Sequence, residues 1–193
     1  MIVDFHHHFT PRELIREDPG DRLILTYDEN GAPSYTTHKL LFDMDAHVAM
    51  MDAAGVDCAV LSCAAGMSAE TARSRVVNDA AKKAERDFPN RFVGFAHANP
   101  LGGPDAMKEL ARCADELGFP GVVITSEQDG LYLDAPEFEP FWAECARRGG
   151  RCLWCPRTPC PDRIARAKSS TRGRPTGATS APSIRDGDRR RPR

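Results

Sequence analysis

Buried-type apolar runs begin near Ile2, Asp57, Arg91, Gly121 and Arg151, and after the first interval they recur at spacings of 34, 30 and 30 residues. Residues 57–63, 91–96 and 121–125 are short and mostly apolar without strict alternation, the pattern of parallel strands covered on both faces. A helical pattern follows each. Ala72, Val76, Ala80, Ala84 and Phe88 step by four, with Pro89 closing the segment. Met107, Leu110, Ala111, Ala114 and Leu117 form a second stripe, with Pro104 suited to its first turn and Gly118 to its left-handed cap. Pro136, Phe138, Phe141, Trp142, Cys145 and Gly149 repeat the design, and Met44, Val48 and Met51 predict a shorter helix ending at Gly55.

Strand, helix, strand at roughly 30 residues per unit is the period of a right-handed βαβ crossover, so the expectation is an α/β fold built on a parallel sheet or barrel. A nucleotide-binding sheet is disfavoured, because Gly102-Gly103 follows the third strand without a lysine and no glycine-rich phosphate loop follows an early one. A full (β/α)8 barrel usually takes about 250 residues. This chain supplies five parallel strands and four helices before its composition changes, which predicts an incomplete (β/α)8 TIM barrel. Residues 9–42 make an unusually long first connection, in which 22–27 and 34–37 flank Asn30-Gly31 and predict a hairpin placed over the carboxyl ends of the strands.

Composition alters the picture near Pro156. The 193 residues carry a net charge of only -2, but residues 157–193 hold eleven Lys or Arg against three Asp, leaving 15 basic and 25 acidic groups in residues 1–156. The segment 157–193 contains only two large aliphatics, Ile164 and Ile184, and is expected to be a disordered basic tail. Residues 1–156 form the first unit. No apolar run of 18 residues and no signal-peptide opening occur, and seven cysteines scattered through core segments read as reduced thiols, so a cytoplasmic protein without a membrane partner is expected.

The most informative chemistry is Asp4-Phe5-His6-His7-His8 at the end of the first strand. Strict alternation would put Asp4, His6 and His8 on one face and His7 on the other. Two neutral imidazoles at adjacent inward positions can ligate one divalent metal, which makes His6 and His8 candidate ligands.

At these residues the sequence resembles the metal-dependent amidohydrolase superfamily, in its branch similar to aminocarboxymuconate semialdehyde decarboxylase. The resemblance covers about residues 1–150 and rests on Asp4-x-His6-x-His8 followed by Phe9-Thr10-Pro11, on residues 51–57 leading into Val60-Leu61-Ser62, and on Asn78-Asp79 followed by 89–95. Residues 118–123, Asp134-x-Pro136 and Phe141-Trp142 complete it. It implies a distorted (β/α)8 barrel with a divalent metal, commonly zinc, at its carboxyl-end mouth, and hydrolysis or decarboxylation of a small carboxylated substrate. It also implies that His6 and His8 are the first two ligands and that the protein has homo-oligomeric relatives.

Departures from that family bear on activity. Where its fifth strand would end in His-Pro, this chain has Cys155-Pro156, so Cys155 is a candidate third ligand through its thiolate. Family members add an aspartate and a histidine from later strands, for which no counterpart is apparent here, and an impaired enzyme is expected. The change of composition after about residue 150 reads as a truncation or a shifted frame in a GC-rich gene. His97, just after the third strand, is the candidate substrate-contacting residue, whereas His38 and His47 are expected to face solvent or pack. Cys152-x-x-Cys155 with Cys160 lacks the second pair of a zinc-thiolate site. The alternative function is a non-catalytic binding protein with a basic, nucleic-acid-contacting tail, although interleaved aromatics and a recognisable reading module are absent.

Overall fold

A computed structural model describes residues 1–27, 33–67, 70–149 and 151–155, with residues 26, 27, 33–36 and 151–155 defined by backbone alone. The expected tail at 157–193, Cys160 within it, and the Asn30-Gly31 turn lie outside the described residues. The elements run β1 (Val3–His8), β2 (Ile24–Tyr27), β3 (Pro33–Thr37), α1 (Met44–Ala54), β4 (Cys58–Ser62), α2 (Thr71–Asp87), β5 (Phe92–Gly94), β6 (Ala96–His97), α3 (Gly103–Asp115), β7 (Gly121–Thr125), β8 (Glu127–Gln128), β9 (Leu131–Tyr132), α4 (Glu139–Arg147) and β10 (Arg151–Cys155).

Parallel pairing joins β1 to β4 and β4 to β5, then β6 to β7 and β7 to β10. The segment expected as one strand at 91–96 is interrupted at Phe95, giving β5 and a short β6 that takes in His97. Gly94 stands at that break because a Cβ there would come within 2.2 Å of the Phe119 ring. Its N–H donates to Glu85 Oε1 at 2.7 Å, so a helix side chain occupies a donor at the interruption. The strands β2 and β3 form the expected antiparallel pair, Ile24 opposite Thr37.

Both faces of the parallel strands are covered. Ala59 and Leu61 of β4 pack with Val77, Ala81, Leu110 and Cys113 on the helix side, while Val60 packs with Phe95, Met67 and Val123 on the other. This explains the continuous apolar reading of β4, since each fully buried Val or Leu contributes roughly 1.5–3 kcal/mol. Helix α1 starts where Asp43 Oδ1 accepts the Ala46 N–H at 3.0 Å and ends at Gly55, whose φ of 70° is the left-handed cap expected there.

The buried face of α2 differs from the four-step stripe. Ser74, Val77, Asn78, Ala81 and Ala84 are buried, whereas Ala72 is exposed and Val76 and Ala80 are only partly covered. A four-residue step advances 400° on a helix with 100° per residue, so such a row winds off any fixed face. The true face includes Ser74 and Asn78 because both find buried partners: Ser74 Oγ donates to Gly66 O at 2.8 Å, and Asn78 bonds to the backbone of His97. Among the described residues no disulfide joins Cys58, Cys63, Cys113 or Cys145, and no helix is long and apolar enough to cross a membrane.

Candidate metal centre

At the carboxyl end of β1, His8 lies opposite Ser62, and the next residue, Phe9, donates its N–H to Ser62 O at 3.0 Å. The register shifts earlier in the strand. Asp4 is opposite Ala59 and His7 opposite Leu61, three steps on β1 against two on β4. One extra residue is therefore accommodated, as in a bulge, and alternation across it is reset.

This corrects the expected grouping of Asp4 with His6 and His8. Ala59 and Leu61 face the helices, and Asp4 and His7 turn to that same side. His7 Nδ1 is hydrogen-bonded to Asp4 Oδ2 at 2.8 Å, His7 Nε2 is hydrogen-bonded to His47 Nδ1 at 2.9 Å, and His47 Nε2–H donates to Leu40 O. Leu40 O can only accept, which puts the proton on His47 Nε2, and with burial keeping His47 neutral its Nδ1 accepts from His7. The second Asp4 oxygen accepts the His6 N–H at 3.1 Å. Burial alone would raise the Asp4 carboxyl, but the hydrogen bonds from His7 and the His6 N–H outweigh it and hold it below the usual range.

His6 and His8 remain together on the opposite face, with ring centroids 4.7 Å apart and planes tilted by 41°. Both are exposed. Partial burial, then the neighbouring His6 and His7, lower the His8 pKa, favouring the neutral imidazole that a metal requires. Paired imidazoles suit a divalent cation, and in this respect the residues fit the implied group. Among the described residues there is no cluster of three His, Cys, Asp or Glu able to hold a metal. The backbone of Cys155 lies opposite Thr125 at the carboxyl end of β7; the position of its thiol falls outside the described side chains.

The structure does not bring His97 to the other two histidines' surface. It is fully buried, its Nδ1–H donates to Phe95 O at 2.9 Å, and its Nε2 accepts the Cys63 N–H at 2.9 Å. Both ring nitrogens are thus committed inside the fold, and a Cβ on Gly66 would approach His97 Cβ to 2.9 Å. Burial pushes its pKa down to about 4, against 6.5 ordinarily. Because the unfolded chain binds this proton more readily, His97 contributes stability that is complete above pH 6.5 and lost as pH falls toward 4. The expected loss is about 3 kcal/mol. Urea unfolding between pH 7 and 4 should show it, and His97→Gln should flatten that slope; an equally steep slope in the variant would refute the assignment.

His38 Nδ1 accepts the Leu40 N–H at 3.2 Å and caps the turn before α1. His47 is 2% exposed, and its burial was legible in part, since it falls at helical spacing with Met44 and Met51. Its partner, His7, was not. Glu109 also escaped the sequence reading: it is 0% exposed and accepts from Arg75, Asn78 and Arg112, and Asn78 in turn bonds to both backbone groups of His97.

Residues 3–151 match the profile of the amidohydrolase family. The gamma-resorcylate decarboxylase of Rhizobium sp. (strain MTP-10005) is 36% identical over 138 residues, covering 64% of this chain and 42% of that protein. The solved 2,6-dihydroxybenzoate decarboxylase from Rhizobium superposes with a TM-score of 0.61 at 30% identity, over 86% of this chain and 53% of that one. A dihydroxybenzoic acid decarboxylase from Polaromonas sp. JS666, solved with bound manganese and the inhibitor 2-nitroresorcinol, gives 0.56 at 30% identity, over 67% and 43%. The chain thus spans about half the length of the relatives it matches.

Proposed function

Because this chain belongs to the amidohydrolase family, we propose that it serves the metal-dependent decarboxylation of a small hydroxylated aromatic acid, its five parallel strands being five of the eight in a (β/α)8 barrel. The observation that carries this reading is the pairing of His6 and His8 on one face at the carboxyl end of β1. Decarboxylation takes precedence over hydrolysis because the relatives above are decarboxylases of dihydroxybenzoates.

His6 and His8 would hold the cation, for which manganese comes before zinc because the Polaromonas relative contains it. Such an ion supplies Lewis-acid polarisation of substrate oxygens. In the overall reaction the bond from ring to carboxylate breaks, its electron pair stays on the ring carbon, that carbon takes a proton, and carbon dioxide leaves. His97 has no role in moving that proton, since both its nitrogens are bonded to the backbone. The helix-side Asp4 and His7 hold the strand that presents the two ligands.

The test is to load the 193-residue chain with manganese or zinc and to measure binding of 2-nitroresorcinol and release of carbon dioxide from 2,6-dihydroxybenzoate. Metal-dependent binding is expected, with slow turnover, because a catalytic site generally takes three protein ligands and the described side chains supply two. Failure to bind metal or any of a panel of hydroxybenzoates, together with salt-dependent binding of nucleic acid, would replace this reading with that of a binding protein.

A further inference from the structure

We propose that Asp4, His7 and His47 are positioning residues: a line of hydrogen bonds on the helix side of β1 that holds His6 and His8 side by side on the other. The proposal rests on the metal reading above and adds to it the device that orients the ligands. His7 lies between them in sequence but points away, and its ring is tied at both ends, to Asp4 at 2.8 Å and to His47 at 2.9 Å. His47 is anchored in turn by Leu40 O. Phe92 packs beside both rings, with centroids 6.3 Å from His7 and 6.4 Å from His47.

The backbone alone holds this stretch poorly. Between Asp4 and His7 its ladder with β4 is interrupted by the extra residue. A strand can twist about its axis at such a bulge, and such a twist would swing both ligands. The His7 ring opposes it, since it cannot turn without breaking bonds to β1 itself and to α1. The same line reaches residue 40 in the long first connection, and Thr10 N–H donates to Leu41 O at 2.6 Å just beside it. The connection and the ligand-bearing strand are therefore fastened at two adjacent points.

The test compares the full chain with His47→Leu and His47→Gln, neither of which alters a ligand. The readouts are ring-to-ring nuclear Overhauser effects between His6 and His8 without metal, and affinity for manganese by competition titration. His47→Leu is expected to lose the ring contacts and to bind manganese about tenfold more weakly, the scale on which outer hydrogen-bonding partners act. His47→Gln, whose amide can both donate to Leu40 O and accept from His7, is expected to restore both. If His47→Leu does not fold, Asp4→Ala, at a partly exposed position, carries the same expectation. A folded variant that keeps the ring contacts and the affinity overturns the proposal, as does a parent chain without those contacts. If the contacts follow the expected pattern but no form binds a divalent cation, the positioning stands and the metal reading falls.

Discussion

Replacing His8 with alanine is expected to abolish tight binding of a divalent cation, weakening it by more than the roughly 10–100-fold that loss of an outer hydrogen-bonding partner costs. One of two imidazoles whose rings lie 4.7 Å apart is then missing, and a single exposed imidazole is a weak site. The fold should survive, because His8 is exposed and replacing an exposed side chain usually changes stability by no more than about 0.5 kcal/mol. Equilibrium dialysis against manganese or zinc, with urea unfolding of the metal-free chain as control, separates the two effects. Unchanged metal binding by His8→Ala would remove the basis of the proposed function.

The second large effect concerns the buried carboxylate of α3. Glu109 is 0% exposed and accepts from Arg75 Nε at 3.1 Å, Asn78 Nδ2 at 2.8 Å and Arg112 at 2.9 and 2.8 Å. Arg112 also reaches Asp79 at 2.8 Å, so the group ties α2 to α3. Glu109→Ala is expected to cost about 1–3 kcal/mol, because it leaves the buried Asn78 amide without its acceptor. Part of that cost passes to β6, where Asn78 accepts the His97 N–H and donates to His97 O. Burial would raise the Glu109 carboxyl, yet the bonds from Arg112 and Asn78 prevail and lower it, so its contribution is present at neutral pH and lost on acidification. Urea unfolding at pH 7 measures the difference, and a loss below about 1 kcal/mol would contradict the structural role.

The two effects divide the molecule by sequence distance. His6 and His8 are two residues apart, and a motif of that kind is visible in the chain itself. Glu109 lies 31 residues from Asn78, and within α3 it reads as one more charged residue beside Leu110. Similarly, His7 meets His47 across 40 residues. No local pattern encodes such a meeting, which arises when α1 packs against the strand layer.

By itself the sequence determined the succession of strands and helices, since apolar periodicity and caps such as Gly55 act within a few residues of chain. It also made legible that His6 and His8, two residues apart, fall on one face by strand alternation. The tertiary structure decided the rest. Strand pairing placed an extra residue between Asp4 and His7 and turned Asp4 from the ligands to the helices. Helix packing chose Ser74 and Asn78 over Ala72 as the buried face of α2, because they satisfy backbone groups that an apolar stripe would leave unbonded. Burial also closed both nitrogens of His97 into the fold. In each case the deciding contact joins residues whose proximity exists only after the chain has folded.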